Sequence, residues 1–118
     1  MPFSIRGSLD TAGVFTQRSS KLFVGNIPDK EATAVARFKA TSGVPLMKAN
    51  QLDFSFWAES DDLVTGRTIT PWNLERTPGG SSGGESAALA ASMSPIGLAT
   101  WDSVILPMRG TIRKQVFQ

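Results

Sequence analysis

The sequence contains no cysteine, no histidine and no tyrosine among its 118 residues. The absence of cysteine excludes disulfides, thiolate metal sites and a thiol nucleophile, and the absence of histidine excludes every mechanism that needs an imidazole base. If the chain is an enzyme, proton transfer falls to lysine or a carboxylate, and the nucleophile is serine, threonine, lysine or a carboxylate. Long hydrophobic runs are lacking too. No apolar stretch approaches the ~20 residues of a membrane span, and the first residues lack a basic flank followed by an apolar stretch, so a cytoplasmic chain is expected.

Charge of one sign is also scarce. The 12 Lys and Arg against 10 Asp and Glu leave a formal +2, and the high isoelectric point of about 9.4 follows from that small excess with nothing titrating near neutrality. The cations are scattered, with only a loose group at Arg109, Arg113 and Lys114. No basic stripe alternates with stacking aromatics, so nucleic acid is not an expected partner. Length and a 41% hydrophobic content suit one ordinary domain or a piece of one.

What is present reads as an α/β chain. Phe3 to Arg6 is a short apolar strand running into a polar, turn-rich loop over Gly7 to Ser20. Asp29 to Thr41 is expected to be a helix, with Pro28 and Asp29 as its start signal, Ala32, Val35, Ala36 and Phe38 on one face and Gly43 beyond its end. Val44 to Lys48 follows as a strand, and the order strand, loop, helix, strand predicts a right-handed parallel unit. From Phe54 to Ser82 neither period is sustained, and Trp57 and Trp72 are the expected apolar anchors. A structureless stretch of that length tends to be functional. An alanine-rich helix is expected over Glu85 to Met93. Ile96 to Leu98 and Val104 to Leu106 are candidate short strands.

Just before the second helix lies GGSSGG, Gly79 to Gly84. Such a stretch on its own is most often a flexible linker. Here it opens directly onto a helix, so its amides and serine hydroxyls are candidates to hold a carboxylate, a phosphate or an oxyanion. It lacks the lysine of a phosphate-binding loop and the spacing of a dinucleotide fingerprint, which argues against nucleotides.

The stretch TPWNLERTPGGSSGGESAALAASMSPIGL, Thr70 to Leu98, resembles the amidase signature family, which includes bacterial amidases, fatty acid amide hydrolase and the A subunit of glutamyl-tRNA amidotransferase. Upstream, Met47 to Trp57 (MKANQLDFSFW) is similar to the family's GKTNxPEF segment, and Leu63 to Thr68 (LVTGRT) looks like part of its polar continuation. Phe3 to Ser20 is similar to the family's VSxKDxxDVAGxxTTxGS strand and loop. The resemblance implies a large mixed sheet with flanking helices, present here only in part, and hydrolysis of carboxamide C–N bonds by a serine, serine and lysine constellation with no metal or cofactor. One serine would attack the carbonyl, and a second, in a cis peptide, would bridge it to a lysine that shuttles protons. That lysine must be buried to yield a neutral amine.

Residue by residue, the bridging serine maps to Ser81, with Ser82 one position out of step, and Gly79, Gly80, Gly83 and Gly84 complete the binding loop. The lysine position is held by Arg6, which cannot act as a base. Lys48 aligns with the lysine of the GKTN segment and is expected to be structural. The nucleophile position falls on Ile105, or on Leu106 or Pro107 if the register slides. Ser103 is the only hydroxyl nearby, and only Asp102, Arg109 and Gly110 resemble the family's pattern there. The resemblance stops at about Leu98, which divides the chain into a family-like segment, 1–98, and a divergent tail, 99–118. The expectation is a truncated and catalytically impaired relative that takes a small amide if active, with self-association through unpaired sheet edges. The alternatives are a non-catalytic binding or interaction protein, or a gene-model fragment with no independent role.

Overall fold

The computed structural model describes residues 1–55 and 59–100. Five strands and two α-helices are found there, in the order β1 (Pro2–Arg6), α1 (Thr33–Ala40), β2 (Val44–Ala49), β3 (Asp61–Asp62), β4 (Gly66–Arg67), α2 (Gly83–Ala90) and β5 (Gly97–Leu98). The main sheet has the order β2-β1-β5, with both pairings parallel. Antiparallel strand pairing among the described residues is confined to the separate two-stranded β3-β4 ribbon and a bridge between Thr70 and Asn73.

β1 is the central strand, and its residues from Phe3 to Arg6 are all buried. A strand covered on both faces sends alternate side chains to opposite sides. Phe3 and Ile5 enter a core with Val35 of α1 and Leu98 of β5, flanked by Phe38 and Ile96. The Phe3 and Phe38 rings meet in a tilted pair at 4.8 Å. Ser4 and Arg6 belong to the other side, where α2 and the glycine-serine loop lie. One strand therefore divides into a packing half and a polar half.

α1 begins at Thr33 rather than at the expected Asp29. The Ala32 amide donates to Asp10 O at 2.9 Å, which ties the chain ahead of the helix to the loop after β1 and delays the first helical turn. The helix ends at Ala40, where Ser42 takes a positive φ of 63° and the Gly43 amide caps Phe38 O. β2 then pairs with β1 over its whole length, one residue beyond the expected Lys48, with a register shift between Phe3 and Ser4.

α2 starts two residues before the expected Glu85 and stops at Ala90. Its early stop has a local cause: Ser92 sits at φ 57° and the Met93 amide turns back to Ala88 O at 2.9 Å. Trp72 is 75% exposed and is not the apolar anchor that was expected; it lies in the turn closed by the Thr70–Asn73 bridge, beside an equally uncovered Leu74. Trp57, the expected strand at Val104 to Leu106, and the positions Asp102, Ser103, Ile105, Leu106, Pro107, Arg109 and Gly110 lie outside the described residues. No helix of the described residues is long and apolar enough to cross a membrane.

Candidate active site

The end of β1 and the glycine-serine loop before α2 meet at Thr100 O, which accepts from both Arg6 Nη1 and Ser82 Oγ. Arg6 is fully buried. Its Nε donates to Gln51 Oε1 at 2.8 Å and its Nη1 donates to Thr100 O at 3.0 Å, with Thr100 Oγ1 in contact as well. Gln51 Oε1 also accepts the Ser8 amide at 2.9 Å, which fixes the orientation of the carboxamide by giving its oxygen two donors.

Ser81 and Ser82 are both fully buried. Gly79 and Gly80 precede them with φ of 73° and 74°, values that suit a residue without Cβ, and they turn the chain into α2. All peptide bonds of the described residues are trans, so the cis bond that the resemblance implies at the bridging serine is not found; the two positive-φ glycines make the turn instead. Ser81 O accepts the Leu52 amide at 3.2 Å, which fastens the loop to the segment after β2. Ser82 Oγ donates to Thr100 O at 3.5 Å.

The amides offered by the loop are partly engaged by the protein itself. Gly83 N donates to Ser60 Oγ at 2.7 Å, and Ser60 Oγ in turn donates to Gly80 O at 3.0 Å. Gly84 N donates to Asn50 O at 3.0 Å. A Cβ on Gly84 would stand 2.3 Å from Asn50 N and 2.4 Å from Asn50 O, so the helix can approach this backbone only through glycine. Two of the amides at the start of α2 that were candidates to hold an anion are therefore held by Ser60 and Asn50.

Lys48 lies on β2, and its Nζ donates to Leu9 O and, at 3.3 Å each, to Thr11 Oγ1 and Thr16 Oγ1. Burial lowers its pKa to about 8, with Asp10 and Glu85 opposing and Arg18 adding to the fall. These three acceptors all belong to the loop after β1, so the amine pins that loop to the sheet.

Sequence reasoning did not single out Gln51, Ser60, Asn50, Thr100 or Glu85. Asn50 is a hub: its Nδ2 donates to Gly66 O and Thr68 Oγ1, while its Oδ1 accepts from Gln51 N and Thr65 Oγ1. Its place within the GKTN-like segment was the available signal. Glu85, in the first turn of α2, is 2% exposed. Ser4 Oγ donates to its Oε2 at 2.5 Å, and its Oε1 is buried without a partner. Burial raises its pKa to about 7, with the Ser4 hydrogen bond, Arg6 and Lys48 opposing.

A parallel strand pair joined by a helix, followed by a buried diserine loop that opens onto an alanine-rich helix, is the N-terminal part of an amidase-signature fold. The chain belongs to the amidase family, whose model matches residues 1–103. It is 42% identical over 100 residues to the A subunit of glutamyl-tRNA(Gln) amidotransferase from Roseiflexus sp. (strain RS-1), covering 85% of this chain and 20% of that one. Among solved structures it is similar to the A subunit of glutamyl-tRNA(Gln) amidotransferase from Thermotoga maritima, with 34% identity and a TM-score of 0.76 over 80% of this chain and 21% of that one. It is also similar to 6-aminohexanoate cyclic dimer hydrolase complexed with substrate, with 33% identity and a TM-score of 0.78 over 81% of this chain and 20% of that one. The chain spans about a fifth of the length of the curated relatives it matches.

Proposed function

We propose that this chain is an amidase-signature relative that does not hydrolyse amides. The observation that carries this reading is Arg6, fully buried at the lysine position and bonded through Nε to Gln51 Oε1. The serine, serine and lysine route needs a neutral amine to take the proton of the bridging serine, and a guanidinium keeps its charge up to about pH 12. Ser81 is thus retained in a site whose basic group can hold charge but cannot accept a proton. The sequence adds a second obstacle, because the position aligned with the nucleophile is Ile105. A serine-reactive fluorophosphonate probe is expected to leave the chain unlabelled. Labelling that disappears in Ser81→Ala would overturn the reading.

A second reading, non-catalytic binding, is supported by an open and mainly apolar groove of about 360 Å³ between β2, α2 and the segment Thr68 to Pro71. Met47, Ile69, Ala87 and Met93 line it. Short aliphatic amides that raise the melting temperature without being turned over would favour this reading. Self-association through the sheet belongs to the same proposal: among the described residues β2 pairs on one side only, and Val44 and Leu46 are 57% and 49% exposed on it. Such an edge invites pairing with another copy, although Pro45 removes one amide from it. Sedimentation at rising concentration is expected to show a growing mass; a constant monomer would exclude it.

A further inference from the structure

The contact between Ser4 and Glu85 leaves the carboxyl, not its neighbours, short of donors. Ser4 Oγ lies 2.5 Å from Glu85 Oε2 and 3.3 Å from Ile96 O, and Ile96 O is already supplied by the Ser4 amide at 2.9 Å and by Ser94 Oγ at 2.7 Å. The single proton of the Ser4 hydroxyl is therefore what an ionised Glu85 receives among the described residues, whereas a protonated Glu85 can itself donate to Ser4 Oγ.

The surroundings favour the protonated form. Glu85 is 2% exposed, and its Oε1 has no hydrogen-bond partner. Gly97 of β5 packs directly on Oε2, where a Cβ would stand only 2.2 Å away, so water is kept from that side. The charged groups that face it are Arg6 on β1 and Lys48 on β2; α2 and β5 carry no other charged residue. Glu85 takes part in no salt bridge among the described residues, and its carboxylate, if ionised, would be held by a single hydroxyl. Burying a charge so poorly solvated is costly.

These contacts tie three elements together: Glu85 on α2, Ser4 on β1, and Ile96 with Gly97 at the start of β5. We propose that Glu85 is a pH-operated latch, which when protonated holds α2 and the glycine-serine loop at its N-terminus against the sheet and when ionised lets them open. The direction follows from linkage. The folded carboxyl titrates at about 7 against 4.5 in the open chain. Opening is therefore suppressed at low pH, becomes easier as pH rises from about 4.5 to about 7, and levels off above that.

The test is hydrogen exchange of the full chain between pH 5 and 9, corrected for the intrinsic rate at each pH, read at the α2 amides and at the most protected amides of β1. At pH 7 the α2 amides are expected to exchange at least about tenfold faster than those of β1, as local opening requires. Their protection should fall by about tenfold per pH unit between 5 and 7 and then flatten, since one proton is linked. In Glu85→Gln, which keeps the shape and a donor, the slope should vanish. The ¹³C chemical shift of the Glu85 carboxyl gives an independent reading that needs no variant, with a midpoint near 7 expected. The latch is overturned if α2 exchanges only in step with β1, if the slope survives in Glu85→Gln, or if the carboxyl titrates in the ordinary range near 4.5.

Discussion

Gln51 Oε1 accepts two hydrogen bonds at once, from Arg6 Nε at 2.8 Å and from the Ser8 amide at 2.9 Å. The pair Arg6 and Gln51 thereby joins the end of β1 to the segment just past the end of β2, in a position without solvent. A buried guanidinium has few ways to satisfy its donors, and a side-chain amide oxygen is a neutral acceptor that does not invite a proton away from it.

Gln51→Ala should therefore lower stability by about 1.5 to 3 kcal/mol, the range for hydrogen bonds to charged groups. Urea unfolding of the variant beside the parent checks this. A loss no larger than that of a surface substitution would show that the pair contributes little.

Gly84→Ala places a Cβ 2.3 Å from Asn50 N and 2.4 Å from Asn50 O, against the backbone of Asn50. Neither segment can yield by turning a side chain, so the substitution should cost about 1 to 3 kcal/mol in spite of the better helix propensity of alanine. The change in melting temperature decides it. An unchanged or raised value would contradict the close approach.

Stability should pass through a minimum between about pH 7 and pH 8. For Glu85 the folded pKa is raised from 4.5 to about 7, so the stability it contributes is complete below 4.5 and is lost as pH rises to about 7. For Lys48 the folded pKa is lowered from 10.5 to about 8, so the unfolded chain binds more protons across that interval and stability rises with pH through it. Urea midpoints at pH 5, 7.5 and 10 should be lowest at 7.5, and Glu85→Gln should remove the acid limb only. A midpoint that climbs steadily from pH 5 to 7.5 would contradict the assignment to Glu85.

The elements that depend on local pattern were legible in the residues. The apolar alternation of Phe3 and Ile5, the helical face with Val35 and Phe38, and the return at Val44 each appear in the structure as β1, α1 and β2. What local pattern missed is tertiary in origin. The start of α1 is shifted by the Ala32 amide's bond to Asp10, and the end of α2 by the turn at Ser92. The same division holds at the site. Arg6 and Ser81 could be named as candidates because the resemblance marks their positions, whereas Gln51, Ser60 and Glu85 enter through contacts spanning from 20 to 81 residues. No window of sequence contains both partners of such a contact. Ser19 is a smaller instance: it stands where the similar motif has glycine, and the structure gives it a φ of 56°.

Arg6→Lys should not restore activity by itself. The lysine would regain a group able to lose its proton when buried, but position 105 remains isoleucine. Fluorophosphonate labelling of the variant should stay at the level of the parent. Stoichiometric labelling of Arg6→Lys would show that another hydroxyl serves as nucleophile.

Above all, Ser81 is held to share its site with a buried charge that cannot act as a base. Ammonia release from a panel of short primary amides, measured for the parent chain and for Ser81→Ala at equal concentration, addresses that claim directly. The same background rate is expected for both, with no saturation by any amide. Saturable release by the parent that is lost in Ser81→Ala would contradict it.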